Sequence, residues 1–73
     1  MQKWEYLSMY VYGDQVVAIN LEETTRKDAR GRSYRPGYLT VLNELGEQGW
    51  ELATLHPSPR SDSFTAIFKR PKP

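Results

Sequence analysis

Cysteine is absent from this 73-residue chain, so it holds no disulfide and no thiolate metal site. Histidine occurs once, as His56, which removes nearly all transition-metal sites and most general-base chemistry. Net charge is almost absent too. Ten Lys and Arg oppose nine Asp and Glu for a total of +1, so the bulk cationic footprint of a nucleic-acid binder is missing. No apolar run approaches the ~20 residues of a membrane span, and no signal-peptide pattern opens the chain. These absences lead to the expectation of a soluble, cytoplasmic protein with no metal, no cofactor and no membrane partner. What the chain does have is aromatic surface, 12% of residues, which compensates for a hydrophobic content of only 38%. A chain of this length makes one small domain, 1–73, and buries about 60–65% of its surface on folding. Self-association would therefore help it.

Lys3 to Tyr12 is aromatic and β-branched with near alternation, and reads as a strand. Gly13-Asp14 fits a two-residue type II′ turn, because glycine takes the positive φ at little cost. Gln15 to Leu21 follows as a second strand. That turn predicts a register in which Tyr12 faces Gln15, Tyr10 faces Val17, Ser8 faces Ile19 and Tyr6 faces Leu21. One face then carries Trp4, Tyr6, Tyr10, Val17, Ile19 and Leu21, and the other Leu7, Met9, Val11, Val16 and Ala18.

Glu22 to Tyr34 has almost no apolar side chain and no period, and reads as a mobile Arg-rich loop at about 22–35. Pro36 suits the first turn of a helix near 36–48. Tyr38, Leu42 and Leu45 lie along one helix face, and Gly49 serves as a left-handed terminator. Trp50 to Leu55 is a third strand. Pro57-Ser58-Pro59-Arg60-Ser61-Asp62 is a turn-rich connection, and Ser63 to Arg70 is a fourth strand. The fold class expected is α+β: a four-stranded antiparallel sheet with one helix on one face, in the order β-β-α-β-β. The helix should cover the aromatic face. Leu7, Met9, Val11, Val16 and Ala18 would then be bare, which predicts a homo-oligomer interface there, unless strands 3 and 4 or the long loop fold over them.

Four motifs, Lys3-Trp4-Glu5-Tyr6, Leu42-Asn43-Glu44-Leu45-Gly46, Gly49-Trp50-Glu51-Leu52 and Phe68-Lys69-Arg70-Pro71, stand out along the chain. Through them the chain resembles a family of small bacterial proteins, domain-of-unknown-function family 4177. The resemblance spans the first strand, the helix and the last two strands, and is most specific between Leu42 and Leu52. It implies a small sheet with one helix and implies no reaction. Between residues 22 and 37 the chain is longer and richer in arginine than that family's pattern, so a special activity is expected there. The motif residues themselves have structural explanations: Gly49 ends the helix, Trp50 plugs the sheet–helix corner, and Trp4 and Tyr6 belong to the core.

Signals for catalysis are poor. His56 sits at a strand end with no nucleophile beside it. Glu44 and Glu47 are one turn apart on the helix, most simply a solvated face. The segment from Arg26 to Arg35 is different. Five basic residues and one acidic residue give it a local charge of +4, leaving −3 for the rest of the chain. Arginine predominates, and its planar fork pairs bidentately with phosphate or carboxylate. Tyr34 and Tyr38 add stacking surface, and the helix N-terminus beyond Pro36 favours an anion. Arg26, Arg30, Arg32, Tyr34, Arg35 and Tyr38 are the expected ligand-binding residues. The reading is a non-catalytic homo-oligomer that sequesters or senses a small anionic, nucleotide-like ligand. Two alternatives stand beside it: a protein–protein interaction module docking by its apolar sheet face, and a single-stranded nucleic-acid binder, against which the net charge counts.

Overall fold

A computed structural model describes residues 1–59 and 61–73; Arg60, in the connection expected to be turn-rich, lies outside the described residues. The elements run β1 (Trp4–Tyr12), β2 (Gln15–Ile19), β3 (Glu22–Glu23), β4 (Arg26–Lys27), β5 (Ser33–Tyr34), α1 (Tyr38–Glu47), β6 (Glu51–Pro57) and β7 (Ser63–Pro71). The fold is α+β, with one helix. The main sheet has five strands in the order β3-β2-β1-β7-β6, every pair antiparallel, and β4 and β5 form a separate two-stranded ribbon. Two expectations are thereby corrected. The sheet has five strands rather than four, and residues 22–35 form β3 and a hairpin rather than a structureless loop. No helix among the described residues is long and apolar enough to cross a membrane.

The β1–β2 hairpin turns at Gly13, whose φ is +64°, and pairs Tyr12 with Gln15 and Val11 with Val16 as expected. Beyond that point the register slips. Tyr10 pairs with Ala18 and Met9 with Ile19, so Val17 is an extra residue, a β-bulge. The bulge places Ile19 on the face of Met9 and Ala18 on the face of Tyr10, the reverse of the face assignment expected. Two more hydrogen bonds extend the pairing, Asn20 N–H to the Ser8 carbonyl and Ser8 N–H to the Asn20 side-chain Oδ1.

The chain then reverses at Asn20-Leu21, both with positive φ (51° and 68°), the signature of a type I′ turn. Asparagine tolerates this conformation; leucine does so at a cost of roughly 1–2 kcal/mol. Leu21 is 94% exposed, so no packing offsets that cost.

The helix covers the aliphatic face, contrary to expectation. Leu7, Met9 and Val11 of β1, Val16 of β2, Ala66 and Phe68 of β7, and Val41 and Leu45 of α1 are all buried in one core. Ile19, Tyr38, Leu42, Trp50 and Phe64 pack against it. Leu7, Met9, Val11 and Val16 are therefore interior to a single chain and not a subunit contact; Ala18 is on the opposite face, half-buried. Trp4, Tyr6, Tyr10 and Tyr12 are exposed instead. The physical reason lies in the side chains. Buried tyrosine hydroxyls and an indole N–H need hydrogen-bond partners that an apolar helix face does not supply, whereas Leu, Met, Val and Ala need none.

The helix ends as expected. Gly49 has φ +89°, its N–H donates to the Gly46 carbonyl, and Trp50 N–H donates to the Leu45 carbonyl. These two bonds make a Schellman motif, and Trp50 packs on the core beside Leu45, supplying its hydrophobic contact. The indole is half-buried, with the Arg70 guanidinium 4.3 Å over its ring.

Opposite outcomes are expected at the two left-handed sites. Leu21→Gly should raise stability by roughly 0.5–1 kcal/mol, and Gly49→Ala should lower it by about 1 kcal/mol. Urea denaturation checks both; a destabilised Leu21→Gly variant would show that the Asn20-Leu21 turn is not under strain.

Candidate anion-binding site

The arginine-rich segment owes its order to local chemistry. Arg26 pairs with Tyr34 and Lys27 with Ser33 across the β4–β5 ribbon. The tip turns at Asp28: Gly31 N–H donates to the Asp28 carbonyl and Asp28 N–H to the Arg32 carbonyl, both at 3.0 Å. Gly31 supplies the positive φ of +78° that such a loop requires. Asp28 Oδ1 accepts from the N–H groups of Arg30 and Arg32, each at 2.9 Å. The one acidic residue of the segment is thus turned onto its own backbone.

The base of the ribbon is fastened at both strands. Thr24 Oγ1 donates to the Val16 carbonyl at 2.7 Å, and Val16 N–H donates to the Pro36 carbonyl at 2.8 Å. Arg26 forms a two-pronged ion pair with Glu44 of α1, Nη1 to Oε2 at 2.9 Å and Nη2 to Oε1 at 2.5 Å. The hydrogen bond from Arg26 holds the Glu44 carboxyl below the usual glutamate range, and the same bond raises Arg26. Glu44 is exposed on the solvated helix face expected, and from there it holds Arg26 as a surface clamp.

These contacts divide the six expected ligand residues. Arg26 is committed to Glu44. Tyr38 is half-buried, edge-on to Phe64 with ring centroids 5.2 Å apart. Pro36 sits just ahead of the helix, Gly37 is the N-cap, and Tyr38 N–H donates to the Asp14 carbonyl at 2.7 Å. The helix N-terminus thus spends a donor internally, which weakens the expected anion site there. Arg30, Arg32, Tyr34 and Arg35 remain exposed, and none of the three arginines forms an ion pair among the described residues. Tyr34 and Arg35 line an open hollow of about 380 Å³ with Gln15, Thr25 and Ser33. A second hollow of about 440 Å³ lies between the chain ends, where Lys3 and Lys72 meet Met1, Gln2 and Pro73; it has cations but no arginine fork and no aromatic ring.

Sequence reasoning missed Gln15, Thr25 and Ser33, short polar side chains that join Arg35 only through the Gln15–Gly37 bridge and the ribbon pairing. No cluster of three metal-ligating side chains occurs among the described residues. Comparison with family models, curated proteins and solved structures finds no match to this chain.

The clamp gives the ribbon a pH response. Because folding lowers the Glu44 pKa, its stabilisation is complete above the ordinary glutamate value and fades as pH falls through the lowered one. NMR spectra should show the 26–34 amides shifting on acidification while core resonances hold. Glu44→Gln should show the released ribbon already at neutral pH; a ribbon unchanged in that variant would remove the clamp's role.

Proposed function

We propose that this protein is a non-catalytic binder that captures a small anionic, nucleotide-like ligand on the β4–β5 ribbon, with Arg30, Arg32 and Arg35 as its cations and Tyr34 as its stacking surface. The observation that carries this reading is the division of charge within the ribbon. Arg26 and Asp28 are consumed by internal contacts, while Arg30 and Arg32 at the ribbon tip and Arg35 just past β5 have no ion-pair partner among the described residues. Arginine forks suit phosphate oxygens, and Thr25, Ser33 and Gln15 offer further polar groups around the same hollow. A pre-formed ribbon also spares much of the ordering cost that a mobile loop would add on binding.

Charged hydrogen bonds to phosphate contribute about 1.5–3 kcal/mol each, so two or three support micromolar capture. Neither the aliphatic subunit contact nor docking by that face belongs to this reading, because α1 occupies the face. No chemical step is assigned: His56 is exposed on β6, opposite Thr65, away from the ribbon.

Calorimetry against nucleotides and cyclic nucleotides should give heat with the native chain and none with Arg30→Ala/Arg32→Ala, whose melting temperature should stay nearly unchanged. Silence from every anion, or turnover of the ligand during the titration, would overturn the proposal.

A further inference from the structure

The main sheet ends in two very different edges. One is β3, two residues long, where Glu22 and Glu23 put like charges on the rim and repel another strand of the same kind. The other is β6, seven residues from Glu51 to Pro57 with no lysine or arginine among them. Its one strand partner among the described residues is β7, so one row of its backbone N–H and C=O groups stays open. All seven residues are exposed. Leu52 and Leu55 pair with Phe68 and Ala66 and so stand on the helix-covered face, yet the helix leaves them 50% and 40% exposed. Glu51 and His56 pair with Lys69 and Thr65 on the outer face, and Ala53 is an extra residue, a bulge.

Symmetry restricts how such an edge can be paired. Two identical edges join antiparallel through a two-fold axis perpendicular to the sheet, which keeps the helix-covered face of one copy level with that of the other. A register is therefore allowed only where each residue meets one from its own face. Setting Leu52 opposite Leu55 of a second copy meets this condition and pairs residues 51–56 of both strands. Leucine then lies against leucine twice, Glu51 lies opposite His56 twice, and Ala53 meets Thr54 at the axis. The His56 N–H can donate to the Glu51 carboxylate, whose contact with Lys69 Nζ, at 3.8 Å, leaves it free acceptor positions. Sliding the register by one residue sets Leu52 against His56 or Thr54, both from the other face. Centring it on Leu55 satisfies the faces but leaves Glu51 and Leu52 unpaired. The strand is thus its own complement, in apolar surface and in polar partners, and that names a second copy as its occupant.

We infer that β6 pairs with β6 of a second copy, Leu52 on Leu55, to form a closed two-fold dimer with one continuous sheet and both helices on the same side. The acidic β3 edge lies outermost at each end, so the assembly stops at two copies. Six residue pairs at an edge bury well under the ~1,200 Å² of a standard interface, so the dimer is weak, in the micromolar range. The ribbon is fastened to β2, on the far side of the sheet from β6, and the dimer does not depend on the anion reading.

Sedimentation velocity of the full chain, from micromolar to millimolar concentration, tests this. The native chain should pass from monomer to dimer and form nothing larger. Leu55→Lys sets an ammonium group against leucine at the edge and should weaken dimerisation roughly tenfold or more. Its melting temperature in dilute solution should hold, because Leu55 is exposed. Arg30→Ala/Arg32→Ala should dimerise like the native chain. Crosslinking reads the register, since no native cysteine competes. Opposed Cα atoms in an antiparallel pair stand ~4.5–5.5 Å apart, within disulfide reach. Leu52→Cys chains mixed with Leu55→Cys chains should oxidise to a covalent dimer, and neither variant should do so alone. A chain that stays monomeric at millimolar concentration would overturn the dimer and leave the edge to a foreign strand. Self-association that survives Leu55→Lys but is lost in Tyr6→Ala would move the contact to the outer face and overturn it as well. Leu55→Cys crosslinking with itself would put Leu55 on the axis and overturn the register.

Discussion

One ten-residue helix has to shield a five-stranded sheet, and it can lie against only one face. The other face must be tolerable in water. The chain meets this constraint by sorting side chains on β1: Leu7, Met9 and Val11 go under the helix, and Trp4, Tyr6, Tyr10 and Tyr12 go outside. Aromatic rings with polar tips keep their hydroxyls hydrated on an open face, where leucine or methionine would have nothing to offset exposure. The bulge at Val17 completes the sorting. It brings Ile19 inward beside Val16, so that β2 adds two apolar side chains to the core instead of leaving Ile19 in solvent. Two layers suffice, as the 47 × 33 × 18 Å dimensions reflect.

What was legible in the sequence was what short-range chemistry decides. Gly13-Asp14 and Gly49 announce positive φ because only glycine adopts it freely, and both sit where expected. The strands flanking the helix and the helix itself follow from alternation and period. The covered face was not legible, because both faces of β1 and β2 are apolar and hydrophobicity alone cannot rank them. The bulge was hidden for the same reason: Val16-Val17-Ala18-Ile19 gives no polar residue to mark a slipped register. The Asn20-Leu21 turn was masked by leucine at a position where glycine is the usual signal. The β4–β5 ribbon did leave a trace, Asp28 three residues before Gly31, but its strands are too polar to register as β.

The ribbon's energetics are tertiary, and this is why composition misjudged its members. Arg26 and Arg30 look alike in sequence, yet Arg26 faces a helix carboxylate 18 positions away and Arg30 does not. The carboxylates elsewhere follow the same logic, with Glu5 bound to Arg70 and Glu51 beside Lys69. Charge that reads as segregated along the chain is partly neutralised in space. Of the cations left without an ion pair among the described residues, Lys27, Arg30, Arg32 and Arg35 lie on or just past the ribbon and Lys3 and Lys72 at the chain ends, so a net charge of +1 understates the local field at the ribbon.

Gln15 joins the outer sheet face to the ribbon. Its backbone pairs with Tyr12 at the end of the aromatic row and bridges to Gly37 beside the ribbon's return, while its side chain helps line the Arg35 hollow. The Val16–Pro36 and Tyr38–Asp14 hydrogen bonds fix the same corner from the helix side. The corner is therefore held by β2, the ribbon's return and α1 together. A ligand seated there meets groups whose relative positions are already set, so little of its binding free energy goes into ordering the protein. The rings along β1 share that rigidity because they stand on the central strand. The ribbon tip is braced separately, by Asp28 against the Arg30 and Arg32 amides, so it too presents its groups in a set arrangement.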